Sequence, residues 1–245
     1  MRQFGLIGYP LGHSFSKQYF TEKFRKEGLA DCSFEAYPLA SIDEFPALLQ
    51  NNPLLQGLSV TIPYKEQVLR HVTDLSEEVK QIGATNSIKI REDRLTAYNT
   101  DIIGFEQSFV PYLMPYHIKA LILGTGGAAK AVQYVLRKLG INYLLVSRSE
   151  VPAAGVINYK QLDTATLAEH TIIINCSPAG MSPNEDTCPD IPYHLLTPGH
   201  YLYDLVYKPA KTLFLQRGEE RGAAVQNGAD MLIIQAEESW RIWNS

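Results

Sequence analysis

Residues 118–129 constrain this chain more than any other stretch. A largely apolar run, Ile118 to Leu123, breaks at Gly124, and Gly126 and Gly127 follow before Ala128 and Ala129 open a helical pattern. Gly124, Gly126 and Ala129 form a Gly-x-Gly-x-x-Ala arrangement. The first glycine permits a sharp exit from a strand, the second lets backbone approach a pyrophosphate, and the alanine allows close helix–strand packing. The free N–H groups and positive dipole end of the helix then face the phosphates. The reading is a dinucleotide-binding turn. A plain glycine-rich strand–helix turn is the alternative.

The next strand candidate, Asn142–Val146, ends in Ser147-Arg148-Ser149. A NAD site usually carries Asp or Glu here, accepting from the ribose 2′-OH. A guanidinium flanked by hydroxyls suits a 2′-phosphate instead, which points to NADP. An arginine capping a strand end would look the same, and Glu150, next in the chain, keeps NAD open.

With 245 residues, the chain is long enough for two domains. A net charge of −4 gives no footprint for nucleic acid or an anionic membrane surface. No apolar run is long enough to span a bilayer. The first ten residues lack the apolar core of a signal peptide. Cys32, Cys176 and Cys188 fit neither a disulfide framework nor a zinc site, so no metal and a reducing cytoplasm are expected.

Strand-like and amphipathic segments alternate along the chain. Phe4–Ile7, Phe34–Leu39 and Gly57–Ile62 read as strands, with helices over Ser16–Lys26 and Ile42–Leu49. Ser87–Ile90 and Arg94–Tyr98 flank a polar turn and predict a hairpin. Ile102–Leu113 reads as a connecting helix. Thr171–Asn175, Leu202–Leu205 and Ala223–Gln226 read as strands, and Thr212–Arg217 and Met231–Trp243 as helices. This alternation predicts an α/β fold with parallel sheets. The expected division is an α/β domain over 1–100 and a Rossmann-like parallel-sheet domain over 101–227, with a C-terminal helix within 228–245 folding back onto the first.

Several loops at predicted strand ends carry polar residues that can do chemistry. Ser14 and Ser16 alternate around Phe15 and present two hydroxyls to a polyol or carboxylate, unless Ser16 is only a helix cap. Ser59-Val60-Thr61-Ile62-Pro63-Tyr64-Lys65 places Lys65 just past a strand. A lysine there serves as general acid or base, or is a solvated surface group. Asn86 and Asp101, in Ala84-Thr85-Asn86-Ser87 and Asn99-Thr100-Asp101, bond hydroxyls or end turns. Gln235 lies in the apolar face of the last helix and needs partners, from backbone or ligand. Asn175-Cys176-Ser177-Pro178-Ala179-Gly180-Met181 is a lid over a cofactor ring or merely a turn.

Taken in order, these segments resemble the shikimate dehydrogenase family over essentially the whole chain. The resemblance rests on Gly8-Tyr9-Pro10-Leu11-Gly12-His13-Ser14-Phe15-Ser16, Val60-Thr61-Ile62-Pro63-Tyr64-Lys65 and Gly83-Ala84-Thr85-Asn86-Ser87. It continues through Asn99-Thr100-Asp101-Ile102-Ile103-Gly104, Gly124-Thr125-Gly126-Gly127-Ala128-Ala129, Tyr203-Asp204-Leu205-Val206-Tyr207 and Gln235-Ala236. It implies NADP-dependent interconversion of shikimate and 3-dehydroshikimate, with a substrate domain, a cofactor domain and a site in the cleft between them. It implies Lys65 and Asp101 as the catalytic pair, and Ser14, Ser16, Thr61, Asn86, Tyr207 and Gln235 as substrate residues. For the cofactor it implies Gly124, Gly126, Gly127, Ala128, Ala129, Ser147, Arg148, Ser149, Leu205 and Gly228. Two positions depart from the family's habit: Ser59 stands where Asn is common, and Ser147-Arg148-Ser149 with Glu150 where Asn-Arg-Thr is common. The competing expectations are a quinate/shikimate enzyme using NAD or both cofactors, and a catalytically silent dinucleotide-binding regulator. The second would be marked by loss of Lys65 or Asp101, and both are present. Monomer and homodimer both remain open.

Overall fold

The computed structural model describes residues 1–12, 15–92, 94–149 and 154–245. The chain divides into two compact units, one of Met1–Thr100 with Ala236–Ser245, the other of Asp101–Gln235.

The first unit contains β1 (Arg2–Gly8), α1 (Phe15–Lys26), β2 (Cys32–Pro38), α2 (Phe45–Asn51), β3 (Leu55–Val60), α3 (Tyr64–Gln67), β4 (Asp74–Leu75), α4 (Glu77–Ile82), β5 (Ser87–Arg91) and β6 (Arg94–Tyr98). Their sheet runs in the order β2-β1-β3-β5-β6-β4. β1 is parallel to β2 and β3, but β5 runs antiparallel to both β3 and β6. The sheet is therefore mixed, and the hairpin expected over Ser87–Ile90 and Arg94–Tyr98 is its antiparallel part. In that hairpin Arg91 lies opposite Arg94, and Glu92 takes the left-handed conformation common in hairpin turns.

Side-chain alternation along β1 divides the core. Phe4 and Leu6 pack with Phe20, Phe24 and Phe34, while Ile7 packs with Leu39, Phe45, Leu58, Val60 and Tyr64. Ala236, Ile242 and Trp243, from the end of the final helix, complete the first of these clusters. Trp243 is fully buried, its ring centroid 5.3 Å from those of Phe4 and Phe20.

The second unit contains α5 (Asp101–Phe109), β7 (Lys119–Leu123), α6 (Gly127–Lys138), β8 (Asn142–Ser147), β9 (Val156–Asn158), α7 (Thr164–Glu169), β10 (Ile172–Asn175), β11 (Tyr201–Asp204), α8 (Leu213–Glu219) and β12 (Ala224–Gln226). The final helix α9 (Ala229–Asn244) starts here, and from Ala236 its residues belong to the first unit. The sheet order is β12-β11-β10-β7-β8-β9, and every pair is parallel. Successive strands run outward from β7 through β8 and β9, then return to its other side with β10. The switch point thus lies between β7 and β10. In open parallel sheets, ligands bind at the strand carboxyl ends beside such a point. The central strands are continuous apolar runs, as burial on both faces demands: Ala120 to Leu123 and Ile172 to Ile174 are fully buried. Among the described residues, no helix is long and apolar enough to cross a membrane.

Candidate functional site

Because the second sheet is parallel, every strand delivers its following loop to the same edge. The edge collects the Gly124–Gly126 turn after β7, Ser147–Ser149 after β8, Asn175–Gly180 after β10, Leu205–Tyr207 after β11 and Gly228 ahead of α9.

Gly124 has φ +113°, a conformation closed to side-chain-bearing residues, and its N–H donates to the Val146 carbonyl at 2.9 Å. A Cβ there would press on the backbone of Cys176 and Ser177 at 3.3–3.4 Å. The turn after β10 therefore sits directly against the glycine turn, at the switch point.

Gly126 is the N-cap of α6. No side chain caps the helix, and its first turn holds no acidic residue. A Cβ on Gly126 would meet nothing within 4 Å. Twelve helical residues thus aim their dipole into open space bounded by Gly127, Ala128 and the buried Ala129. That arrangement fits a pyrophosphate.

At the neighbouring loop, the Ser149 N–H donates to the Ser147 hydroxyl at 3.1 Å. The Asn158 amide donates to the Arg148 and Ser149 carbonyls at 3.4 and 3.1 Å, so β9 braces this segment. Arg148 is exposed and lies close enough to half-buried Tyr159 to oppose the upward push that burial gives its phenol. Glu150 lies outside the described residues.

The turns after β10 and β11 are bound to each other. The Leu205 N–H donates to the Asn175 carbonyl at 3.0 Å. The Asn175 amide donates to the fully buried Asp204 carboxylate at 2.9 Å, which also accepts from the Val206 N–H at 3.0 Å and the Thr212 hydroxyl at 2.6 Å. Burial pushes the Asp204 carboxyl up to about 6, against the downward pull of these three bonds. Burial also raises the Cys176 thiol and the Tyr207 phenol. Sequence reasoning places Asn175 in a candidate lid and Asp204 in a family motif, gives neither a role of its own, and passes over Thr212 as a site residue. The available signal was a polar residue closing each of two apolar strands.

In the first unit, β1, β3 and β6 end at one edge, and antiparallel β5 begins there. Thr61, Lys65, Asn86 and Thr100 share it. The Thr61 N–H donates to the Ile7 carbonyl at 2.9 Å, and the Thr85 N–H to the Lys65 carbonyl at 2.8 Å. The Thr100 N–H donates to the Asn86 side-chain oxygen at 2.6 Å, while the Asn86 amide donates to the Thr100 hydroxyl at 3.0 Å. The Thr100 hydroxyl lies 3.0 Å from that of Ser239. Ser16 lies within the first turn of α1, which begins at Phe15, so it is not the helix cap. Ser14 lies outside the described residues.

Asp101 and Gln235 belong to the second unit. Asp101 is a buried residue in the first turn of α5, where the helix dipole favours a carboxylate. The Gln235 amide donates to the Leu232 carbonyl at 3.1 Å within α9. A groove of about 430 Å³ runs along α1 and β2, with Lys17, Arg25, Cys32 and Glu35 in its lining. Its strand residues lie in the amino-terminal half of β2, away from the edge that carries the candidate residues.

An all-parallel sheet with an uncapped, glycine-opened helix at its switch point defines a dinucleotide-binding α/β protein. The chain belongs to the shikimate dehydrogenase family. Residues 6–88 match the family model described as the shikimate dehydrogenase substrate binding domain. A shikimate dehydrogenase (NADP(+)) of Staphylococcus aureus is 34% identical over 254 residues, spanning 99% of this chain and 92% of the relative. Similar solved structures include the Thermus thermophilus shikimate 5-dehydrogenase in complex with NADP(H) and shikimate, at TM-score 0.87 and 30% identity over 99% of this chain and 93% of that one. The Listeria monocytogenes enzyme in complex with shikimate and NAD matches at TM-score 0.88 and 26% identity, over 99% and 91%.

Proposed function

We propose that this protein catalyses the reversible, NADP-dependent oxidation of shikimate to 3-dehydroshikimate. The observation that carries the reading is the open, uncapped N-terminus of α6 at the switch point of a parallel sheet, with Arg148 at the end of the adjacent strand. The second unit holds the cofactor, the first supplies most of the substrate residues, and the protein works in the cytoplasm.

The cofactor, when bound, supplies the hydride chemistry. Gly124, Gly126, Gly127, Ala128 and Ala129 receive its pyrophosphate, and Ser147, Arg148 and Ser149 the 2′-phosphate. Leu205 and Gly228 would also contact the cofactor. Ser14, Ser16, Thr61, Asn86, Tyr207 and Gln235 hold the substrate's hydroxyl and carboxylate groups. As the ring hydroxyl becomes a carbonyl its proton must leave, and Lys65 takes it, returning it in reduction, with Asp101 as its functional partner.

The test is a spectrophotometric assay of shikimate and quinate with NADP and NAD. Shikimate with NADP should be the best pair. A folded protein without shikimate turnover on either cofactor overturns the reading. Lys65→Ala should lower kcat by roughly 10²–10⁴ with a smaller change in shikimate KM. Asp101→Asn should lose activity too, and the double variant should lose less than the sum of the two.

A further inference from the structure

Asp204 is an isolated buried carboxylate. Its partners are hydrogen-bond donors, with no cation among the described residues. Such a group is costly to keep unless it holds something in place. What it holds is legible from its donors. Asn175 closes β10, and its side-chain oxygen also accepts from the Ser177 N–H at 3.0 Å and the Ser177 hydroxyl at 2.6 Å. Asn175 therefore shapes the very turn whose Cys176 and Ser177 stand against Gly124. Val206 lies in the loop after β11. On one side of it the Leu205 carbonyl fills the space that a Cβ on Gly228 would take, and its own carbonyl accepts from the Gly228 N–H at 3.3 Å. Thr212 caps α8, its hydroxyl accepting from the Leu215 N–H at 3.4 Å. One carboxylate thus joins the loop against the glycine turn to the loop against Gly228.

We propose that Asp204 is a positioning residue for the cofactor: through Asn175, Val206 and Thr212 it fixes the two loops that frame the dinucleotide site. This rests on the NADP reading above. Asp204 touches no reacting atom, so its removal should loosen cofactor binding more than substrate binding, which shares this loop only through Tyr207.

The chemistry of the three donors sets the variants. Asp204→Asn keeps one oxygen for Asn175 and Val206 and turns an N–H toward the Thr212 hydroxyl, which can rotate to accept it. Asp204→Ala strands all three donors. Asp204→Ala should raise the KM for NADP at least tenfold, with a clearly smaller rise in the KM for shikimate, and Asp204→Asn should restore most of the loss. Thr212→Val should raise the same KM by a smaller factor and Thr212→Ser should rescue it. This pair carries the test if Asp204→Ala does not fold. Hydrogen exchange without cofactor reads the loops directly: the Ser177, Ala179 and Val206 amides should exchange faster in Asp204→Ala, or in Thr212→Val, with the rest of the sheet unchanged. An unaltered KM for NADP in a folded variant, equal losses for cofactor and substrate, or unaltered loop exchange would overturn the proposal. A wild-type protein that does not turn over with NADP would instead refute the functional reading, and the positioning role would then stand or fall on the exchange data.

Discussion

The carbonyl oxygen of Leu205 occupies the space into which a side chain on Gly228 would project. A Cβ on Gly228 would fall well inside van der Waals contact with that oxygen and its carbon. The loop after β11 and the start of α9 are therefore pressed together at a position where no side chain can intervene.

Gly228→Ala must push the Leu205 carbonyl away or shift the start of α9. Overpacking of this kind costs about 1–3 kcal/mol. Urea unfolding should show that loss, and the KM for NADP should rise while the KM for shikimate holds. A variant with wild-type stability and cofactor KM would mean that the loop yields freely.

Much of this arrangement can be read from sequence, and the part that cannot has a physical reason. Strands buried on both faces announce themselves as apolar runs, as at Leu121–Leu123 and Ile172–Ile174, and the glycines after Leu123 mark the turn. Short elements do not. β4 has two residues and β9 three, too few for a period. α4 and α7 have six each, and only their caps, Ser76 and Asp163, betray them. The helix expected to run to Leu113 ends at Phe109 and tightens into a 3₁₀ turn over Val110–Tyr112, because Pro111 has no N–H to continue it. The hairpin of β5 and β6 is legible from its polar turn, but the pairing of β5 with β3 is something periodicity cannot report. The Asn175–Asp204–Thr212 network joins residues 29 and 8 positions apart, a connection that exists only once the strands are side by side.

The final helix offers a test of packing in the first unit. Trp243 is fully buried against Phe4 and Phe20, while its indole N–H has no acceptor. Arg91 donates to the Trp243 carbonyl at 2.6 Å and Arg2 to the Asn244 side chain at 2.8 Å, fastening the helix end. Trp243→Ala should cost about 3–5 kcal/mol by opening a cavity. Trp243→Phe removes the unsatisfied donor and keeps an aromatic ring, so it should cost clearly less, about 2 kcal/mol or under. Equal losses in chemical denaturation would show that the indole N–H contributes to stability.

Arg148 should set cofactor choice. Its guanidinium can make two charge-assisted bonds to a 2′-phosphate and has no comparable partner on a bare ribose. Losing such contacts at an exposed site should cost roughly 1.5–3 kcal/mol, about ten- to a hundredfold. Arg148→Ala should raise the KM for NADP by that factor and leave NAD nearly unchanged in titrations at fixed shikimate. Equal losses for both cofactors would reduce Arg148 to a support for the loop that Asn158 already braces.

Two buried groups should give stability opposite dependences on pH. The His117 Nδ1 accepts from the Met114 N–H at 3.0 Å, which fixes the proton on Nε2, 3.2 Å from the Gly199 carbonyl. Burial holds this imidazole below its usual 6.5. The unfolded chain takes up that proton first, so the His117 contribution is full above about 6.5 and is lost as pH falls below it. Asp204 behaves in the reverse sense. Burial pushes its carboxyl up to about 6 from the ordinary 3.8 of an exposed aspartate, so its contribution is full below 3.8 and is lost as pH rises through 6. That difference is worth up to about 3 kcal/mol. The unfolding free energy of wild type minus that of Asp204→Asn should therefore grow on acidification from pH 7 to 4. The same difference against His117→Gln should shrink between pH 7 and 5. Parallel pH profiles for wild type and Asp204→Asn would mean that the carboxylate titrates in the folded protein as it does in the unfolded chain, and burial would not be governing it.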